Sequence, residues 1–154
     1  MKNVTLLLAG LAILPIAAAA EEMTLPPLKI QPGPQLVVDE HLDALNKCDW
    51  NRLMAQYPPE VEFHLPNGVV VQGREAIGEV FAGFCKERAE GGFKGLTFKP
   101  LHVKTIGDTV NVTWEASADF LEEPYKGADA YVTKDGLMYV QVTTFDSADM
   151  KFKP

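Results

Sequence analysis

Residues 64–77 read His-Leu-Pro-Asn-Gly-Val-Val-Val-Gln-Gly-Arg-Glu-Ala-Ile, and this stretch narrows the possible folds more than any other part of the chain. Just before and into it, Val61, Phe63 and Leu65 alternate with Glu62 and His64, the period-two pattern of a half-buried strand. Pro66, Asn67 and Gly68 supply turn chemistry, and Val69 to Val71 reads as a short return strand. Gly73 then precedes a helix whose buried stripe is Ile77, Val80, Phe81 and Phe84. Strand, reversal and helix in direct succession require a sheet with a helix packed on one face.

The flanking sequence extends that pattern on both sides. Val38, Leu42 and Leu45 recur at helical spacing with His41 and Cys48 in the same stripe, which predicts a first helix ending near Lys47. Asp49 is placed to cap a second short helix carrying Trp50, Leu53, Met54 and Tyr57, stopped by Pro58 and Pro59. Gly91 and Gly92 are expected to end the third helix. The rest is strand and turn: residues 96–106, a turn at Gly107 and Asp108, then residues 109–121 with Val110, Val112, Trp114, Ala116, Ala118 and Phe120 on one face. A further arm covers residues 125–133, and Asp135-Gly136 signals a hairpin into residues 137–145. Helices followed by antiparallel strands make an α+β domain, with a curved sheet folded over about three N-terminal helices.

The chain ends carry separate signals. Lys2, an apolar run over residues 4–16 and the small residues Ala17 to Ala20 predict a signal peptide over residues 1–20. A membrane anchor needs roughly 20 apolar residues, and this run is interrupted at Pro15. The expected product is exported, periplasmic or secreted, with no stable membrane insertion. Residues 21–34 hold Pro26, Pro27, Pro32 and Pro34 and read as an extended tether or edge arm. The domain is expected over residues 35–146, and residues 147–154 read as a C-terminal tail.

Charge restricts the partners. The chain has a formal net charge of -7, and loss of Lys2 with the signal peptide makes it -8. Such a chain repels phosphate backbones and anionic lipid, so nucleic acid and membrane are not expected partners. The histidines at 41, 64 and 102 lack the spacing of a helical metal site. No glycine-rich phosphate loop or Gly-x-Ser-x-Gly elbow occurs, so neither metal nor cofactor is expected. Cys48 and Cys85, the only cysteines, either form a bridge, which export would preserve, or sit as two small core thiols.

The order of elements, with Gly-Arg-Glu-Ala-Ile at 73–77 and Tyr-Lys-Gly-Ala-Asp-Ala-Tyr-Val-Thr-Lys-Asp-Gly at 125–136, resembles the SnoaL-like branch of the nuclear transport factor two-like superfamily. Ketosteroid isomerases and polyketide cyclases share that fold. The resemblance implies a cone-shaped half-barrel with a pocket between sheet and helices, and a homodimer through the outer sheet face. Matched to the isomerase pattern, the catalytic base position falls on His64, with a one-residue ambiguity toward Leu65. The acid that donates to the substrate oxygen falls on Asp129, and the helper phenol falls on or near His41. Tyr131 shares a strand face with Asp129 and is placed to act as a second donor.

Two functions follow from these residues. One is an apolar pocket that binds a small lipophilic molecule. The other is a cofactor-independent isomerase, cyclase or dehydratase-type enzyme moving a proton next to a carbonyl, with His64 as base and Asp129 with Tyr131 as oxyanion donors. The ordinary alternatives are a solvent-facing His64, a His41 at the rim of a helix stripe, and an Asp129 paired with Lys126 or Arg74. Convergence of His64 and Asp129 in one pocket separates the two functions.

Overall fold

The computed structural model describes residues 24–154. The expected signal peptide at residues 1–20 lies outside the described residues. Three helices lead: α1 (Pro34–Asn46), α2 (Trp50–Met54) and α3 (Arg74–Phe84). Six strands follow or interleave: β1 (Glu62–His64), β2 (Val70–Gln72), β3 (Thr97–Ile106), β4 (Thr109–Ser117), β5 (Tyr125–Lys134) and β6 (Leu137–Thr143). They form one curved, open sheet in the order β2-β1-β6-β5-β4-β3. Only the β1–β6 pairing is parallel; the others are antiparallel. The helices cover one face of this sheet, and the α+β half-barrel expected from sequence is the architecture observed.

Several boundaries differ from expectation for identifiable reasons. α1 begins at Pro34, which the sequence reading left in the lead-in. Proline at the first helical position has no N–H to lose there and its φ is already set for the helix. α2 is capped by Asp49, which accepts from the Arg52 N–H at 3.1 Å, as expected. α3 stops at Phe84, short of Gly91. The chain there folds back on the helix end: Phe93 N–H donates to the Phe84 carbonyl at 2.7 Å, and Lys94 N–H to the Lys86 carbonyl at 3.0 Å. Carbonyls that a longer helix would have used internally are satisfied by the loop that leads into β3. Asp135 and Gly136 both take positive φ, 52° and 76°, as a tight hairpin turn with the sheet's twist requires.

The inner sheet face and the helices share the core. Val37, Val38 and Leu42 of α1, Ile77 and Phe81 of α3, and Val110, Val112 and Trp114 of β4 are all buried. Asn46 clasps α1 to β3, donating to the Phe98 carbonyl at 2.9 Å and accepting from the Phe98 N–H at 2.7 Å. Cys48 and Cys85 are joined, with Cα atoms 5.5 Å apart. That bond ties the end of α1 to the end of α3 and resolves the choice left open by sequence.

The chain ends are docked. Lys29 N–H donates to the Ala55 carbonyl and Gln31 N–H to the Gly136 carbonyl, while the Arg74 guanidinium donates to the carbonyls of Pro26 and Met54. The lead-in is therefore an edge arm. At the other end Leu121 bridges Phe152, and the Arg88 guanidinium lies 4.5 Å from the Phe152 ring centre, 5.2 Å from Phe93 and 5.4 Å from Phe120. Cation–π attraction at these distances fastens the tail to the loop after α3.

Candidate functional site

A cavity of about 540 Å³ lies between α1, α3, the loop after α3 and the inner face of the sheet. Its walls are largely apolar, and Phe63, Phe81, Phe84, Phe93, Phe98 and Phe145 all line it. Phe84, Phe93, Phe98 and Phe145 pack on one another with ring centres 5.6 to 6.2 Å apart. The polar lining deep in the sheet is Asp129, Tyr131, Gln141 and Thr143. Exposed lining residues, among them Val69, Lys86, Glu90 and Ser147, mark the rim.

The sheet register explains how that polar group assembles. Asp129 of β5 stands opposite Val112 of β4 and Thr143 of β6, while Tyr131 stands opposite Val110 and Gln141. Residues facing each other across neighbouring strands share a sheet face, so all project inward. Three donors converge on the Asp129 carboxyl. Trp114 Nε1 donates to Oδ1 at 3.0 Å, Thr143 Oγ1 to Oδ1 at 2.7 Å, and Tyr131 Oη to Oδ2 at 2.7 Å. Burial raises the Asp129 pKa above the usual carboxylate value, against the lowering effect of Tyr131, Thr143 and Trp114. Burial and the neighbouring Asp129 likewise hold the Tyr131 phenol well above its ordinary pKa.

His41 lies behind this group, fully buried in α1, with ring centres 5.4 Å from Tyr131 and 5.9 Å from Phe81. Burial lowers its pKa to about 3, so the imidazole is neutral. Its Nδ1 is 3.1 Å from Tyr57 Oη, and Tyr57 Oη donates to Gln141 Oε1 at 3.3 Å. The phenol has one proton. If it goes to Gln141, His41 must carry its own proton on Nδ1, which leaves Nε2 as a lone pair without a partner among the described residues.

His64 is the sequence-predicted residue that the structure does not bring to the cavity. It pairs across the sheet with Val70 and Val142, on the outer face, while Phe63 and Leu65 line the cavity. Its Nε2 is 2.9 Å from Glu62 Oε2 on the same outer side. The physical reason is the strand's own alternation: a strand residue and its neighbours face opposite sides, and the apolar side was bound to face the core. The convergence of His64 with Asp129 is thus corrected. Asp129, Tyr131 and His41 do gather, though His41 is a buried support and not part of the cavity lining. Asp129 pairs with neither Lys126 nor Arg74; Lys126 instead approaches Glu115.

Sequence reasoning missed the other members of the cluster. Trp114 lies on the apolar strand face expected of it, and its indole N–H also holds Asp129. Thr143 and Gln141 carried no signal of their own, although the Asp135-Gly136 turn points to β6 as the strand opposite Asp129. His102 stands on the outer face opposite Thr113. Among the described residues, no three His, Cys, Asp or Glu side chains could together hold a metal ion. Nor is any described helix long and apolar enough to cross a membrane.

Comparison with known proteins agrees with this geometry. The family model described as a SnoaL-like domain matches residues 38–141. No curated protein matches the sequence significantly. Among solved structures, an NTF2-like protein of unknown function from Cytophaga hutchinsonii superposes with a TM-score of 0.60 at 15% identity, over 79% of this chain and 96% of that one. TerC co-crystallized with polyporic acid gives 0.62 at 17% identity, over 75% and 92%. An LEH-like epoxide hydrolase from M. tuberculosis gives 0.57 at 18% identity, over 75% and 84%. At such identities the likeness concerns the fold.

Proposed function

This chain belongs to the SnoaL-like domain family, and from that premise we propose that it is an exported protein whose cavity binds a small lipophilic molecule. The fold serves cyclase, isomerase and hydrolase-type proteins, so membership alone does not choose between binding and chemistry. The observation that carries the binding reading is the cavity itself: about 540 Å³, walled largely by phenylalanine and aliphatic side chains and ended by one polar cluster. That is the ordinary form of a small-molecule site, in which apolar walls supply affinity and a few polar groups fix orientation. The proton-transfer reading was built on His64 as base, and His64 stands on the opposite face of β1. The Cys48–Cys85 bond supports export, because disulfides persist in oxidising compartments.

A thermal-shift screen with lipophilic small molecules tests the reading. A ligand held at about 100 times its Kd stabilises the folded state by about 2.7 kcal/mol, which for about 130 residues corresponds to a rise of roughly 10 °C in Tm. Leu45→Trp, which projects a large ring into the cavity, abolishes that rise. Hits that shift wild type and Leu45→Trp equally place binding elsewhere and refute the cavity as the site.

A further inference from the structure

We infer that the molecule the cavity selects is a hydrophobic organic cation of the quaternary ammonium type. The inference rests on the reading that this cavity binds a small lipophilic molecule, and adds the charge that molecule carries. Two independent features of the lining point the same way.

The first is charge. The lining includes the carboxyl groups of Glu90, Asp129 and Asp146 against a single ammonium, that of Lys86, which is exposed at the rim. The hydrogen-bond partners of Asp129 among the described residues are Trp114, Tyr131 and Thr143, none of them a cation. Indole N–H can only donate, so the cluster is arranged to hold an acceptor, and a negative charge held there has no counter-ion among the described residues. An anionic ligand would meet the buried Asp129 carboxyl in a confined, partly dehydrated space, where charge interactions are stronger than in water, with the half-buried Asp146 and the exposed Glu90 adding the same sign toward the mouth.

The second is the aromatic wall. Phe63, Phe81, Phe84, Phe93, Phe98 and Phe145 surround the space. Each ring face carries partial negative charge, and a cation within about 6 Å of a ring centre is attracted by it, more strongly once water is excluded. A purely apolar ligand would use the same rings by burial alone and would gain nothing from the carboxyl groups.

The donor geometry also selects the kind of cation. A carboxylate offers about four lone-pair sites, and three are taken by protein donors at 2.7 to 3.0 Å. What remains of Asp129 acts as a charge more than as an acceptor. A quaternary ammonium group needs no hydrogen bond and is weakly hydrated, so it meets both features at once.

The test compares three probes of matched size: benzyltrimethylammonium, its neutral carbon isostere neopentylbenzene, and 3-phenylpropanoate. Affinities for the whole protein are read by titration of tryptophan fluorescence and by calorimetry. Benzyltrimethylammonium is expected to bind about tenfold tighter than neopentylbenzene, with 3-phenylpropanoate weakest. Asp129→Asn is expected to lower the affinity for the cation about tenfold and leave that for neopentylbenzene within about twofold. Should Asp129→Asn fail to fold, the order of the three probes on wild type decides alone, with Glu90→Gln at the rim as the second variant. Neopentylbenzene binding as tightly as the cation, or a cation preference that survives Asp129→Asn, overturns the inference and leaves the binding reading standing. Failure of all three to bind overturns both.

Discussion

Breaking the Cys48–Cys85 bond should cost the fold a large part of its stability, and the size follows from where the bond lies in the chain. The cysteines are 37 positions apart. In the chain-entropy description, a cross-link closing a loop of that length removes about 4 kcal/mol of denatured-state freedom. A domain of about 130 residues unfolds with an entropy near 0.27 kcal/mol per kelvin, so the loss corresponds to a fall in Tm of roughly 14 °C. The experiment is thermal and urea unfolding of the oxidised protein, of the same protein under reductant, and of Cys48→Ser/Cys85→Ser. The reduced protein and the double variant should agree, because the variant removes the cross-link with little change in volume. Mass spectrometry after alkylation without reductant should show no added mass on the oxidised protein, and a mature N-terminus at Glu21. A Tm difference below about 3 °C refutes the argument, since it leaves under about 1 kcal/mol to the cross-link. A mature chain that keeps Met1 refutes the export proposal.

Two further outcomes are expected. The outer sheet face leaves Val70, Val132 and Val142 at 44%, 36% and 43% exposure, and we propose that it pairs two copies of the chain; light scattering should give a dimer mass that Val142→Lys halves, and a monomeric wild type at micromolar concentration refutes it. Because Asp129 has a raised pKa in the folded state, its stabilising contribution is complete below the ordinary value of 3.8 and is lost as pH rises through the folded value. His41, lowered from 6.5 to about 3, acts oppositely, its contribution being present above 6.5 and lost as pH falls toward 3. Urea unfolding of wild type and Asp129→Asn across that range cancels the His41 part in the difference, which should favour Asp129→Asn increasingly as pH rises; a flat difference refutes the assignment.

Much of the architecture was legible because local chemistry and long-range packing agreed. The alternation at Phe63 and Leu65, the Asp49 cap and the Asp135-Gly136 turn each specified a local structure that the fold retains. His64 shows what happens when two kinds of inference compete. Counting along a family pattern put it in the pocket, whereas its own strand alternation put it opposite the apolar side, and the alternation prevailed because burying Phe63 and Leu65 is worth far more than burying an imidazole. Thr143 shows a different limit. Counting from the Lys134–Leu137 pair across the turn would set Asp129 opposite Val142; a register shift after Val132 moves the partner to Thr143. A single extra residue in one strand, here Tyr139 between Met138 and Val140, exchanges the face of everything beyond it, and nothing in those residues announces it. The phenylalanines were visible individually, but their gathering around one space depends on the return of the chain after α3.

The parallel pairing of β1 with β6 joins parts of the chain that are far apart in sequence. The strands β3 to β6 pair in succession across short turns and can zip together while still near one another along the chain. Glu62, by contrast, pairs with Val140, and closing a loop between residues so far apart costs more chain entropy than joining strands across a turn. Phe63 and Leu65 are held in the cavity wall by that pairing. The cavity therefore depends on a pairing between residues far apart in the chain, and a polypeptide that ended before β6 would lack both Thr143 and Gln141 and the strand that holds Phe63 and Leu65 in the wall.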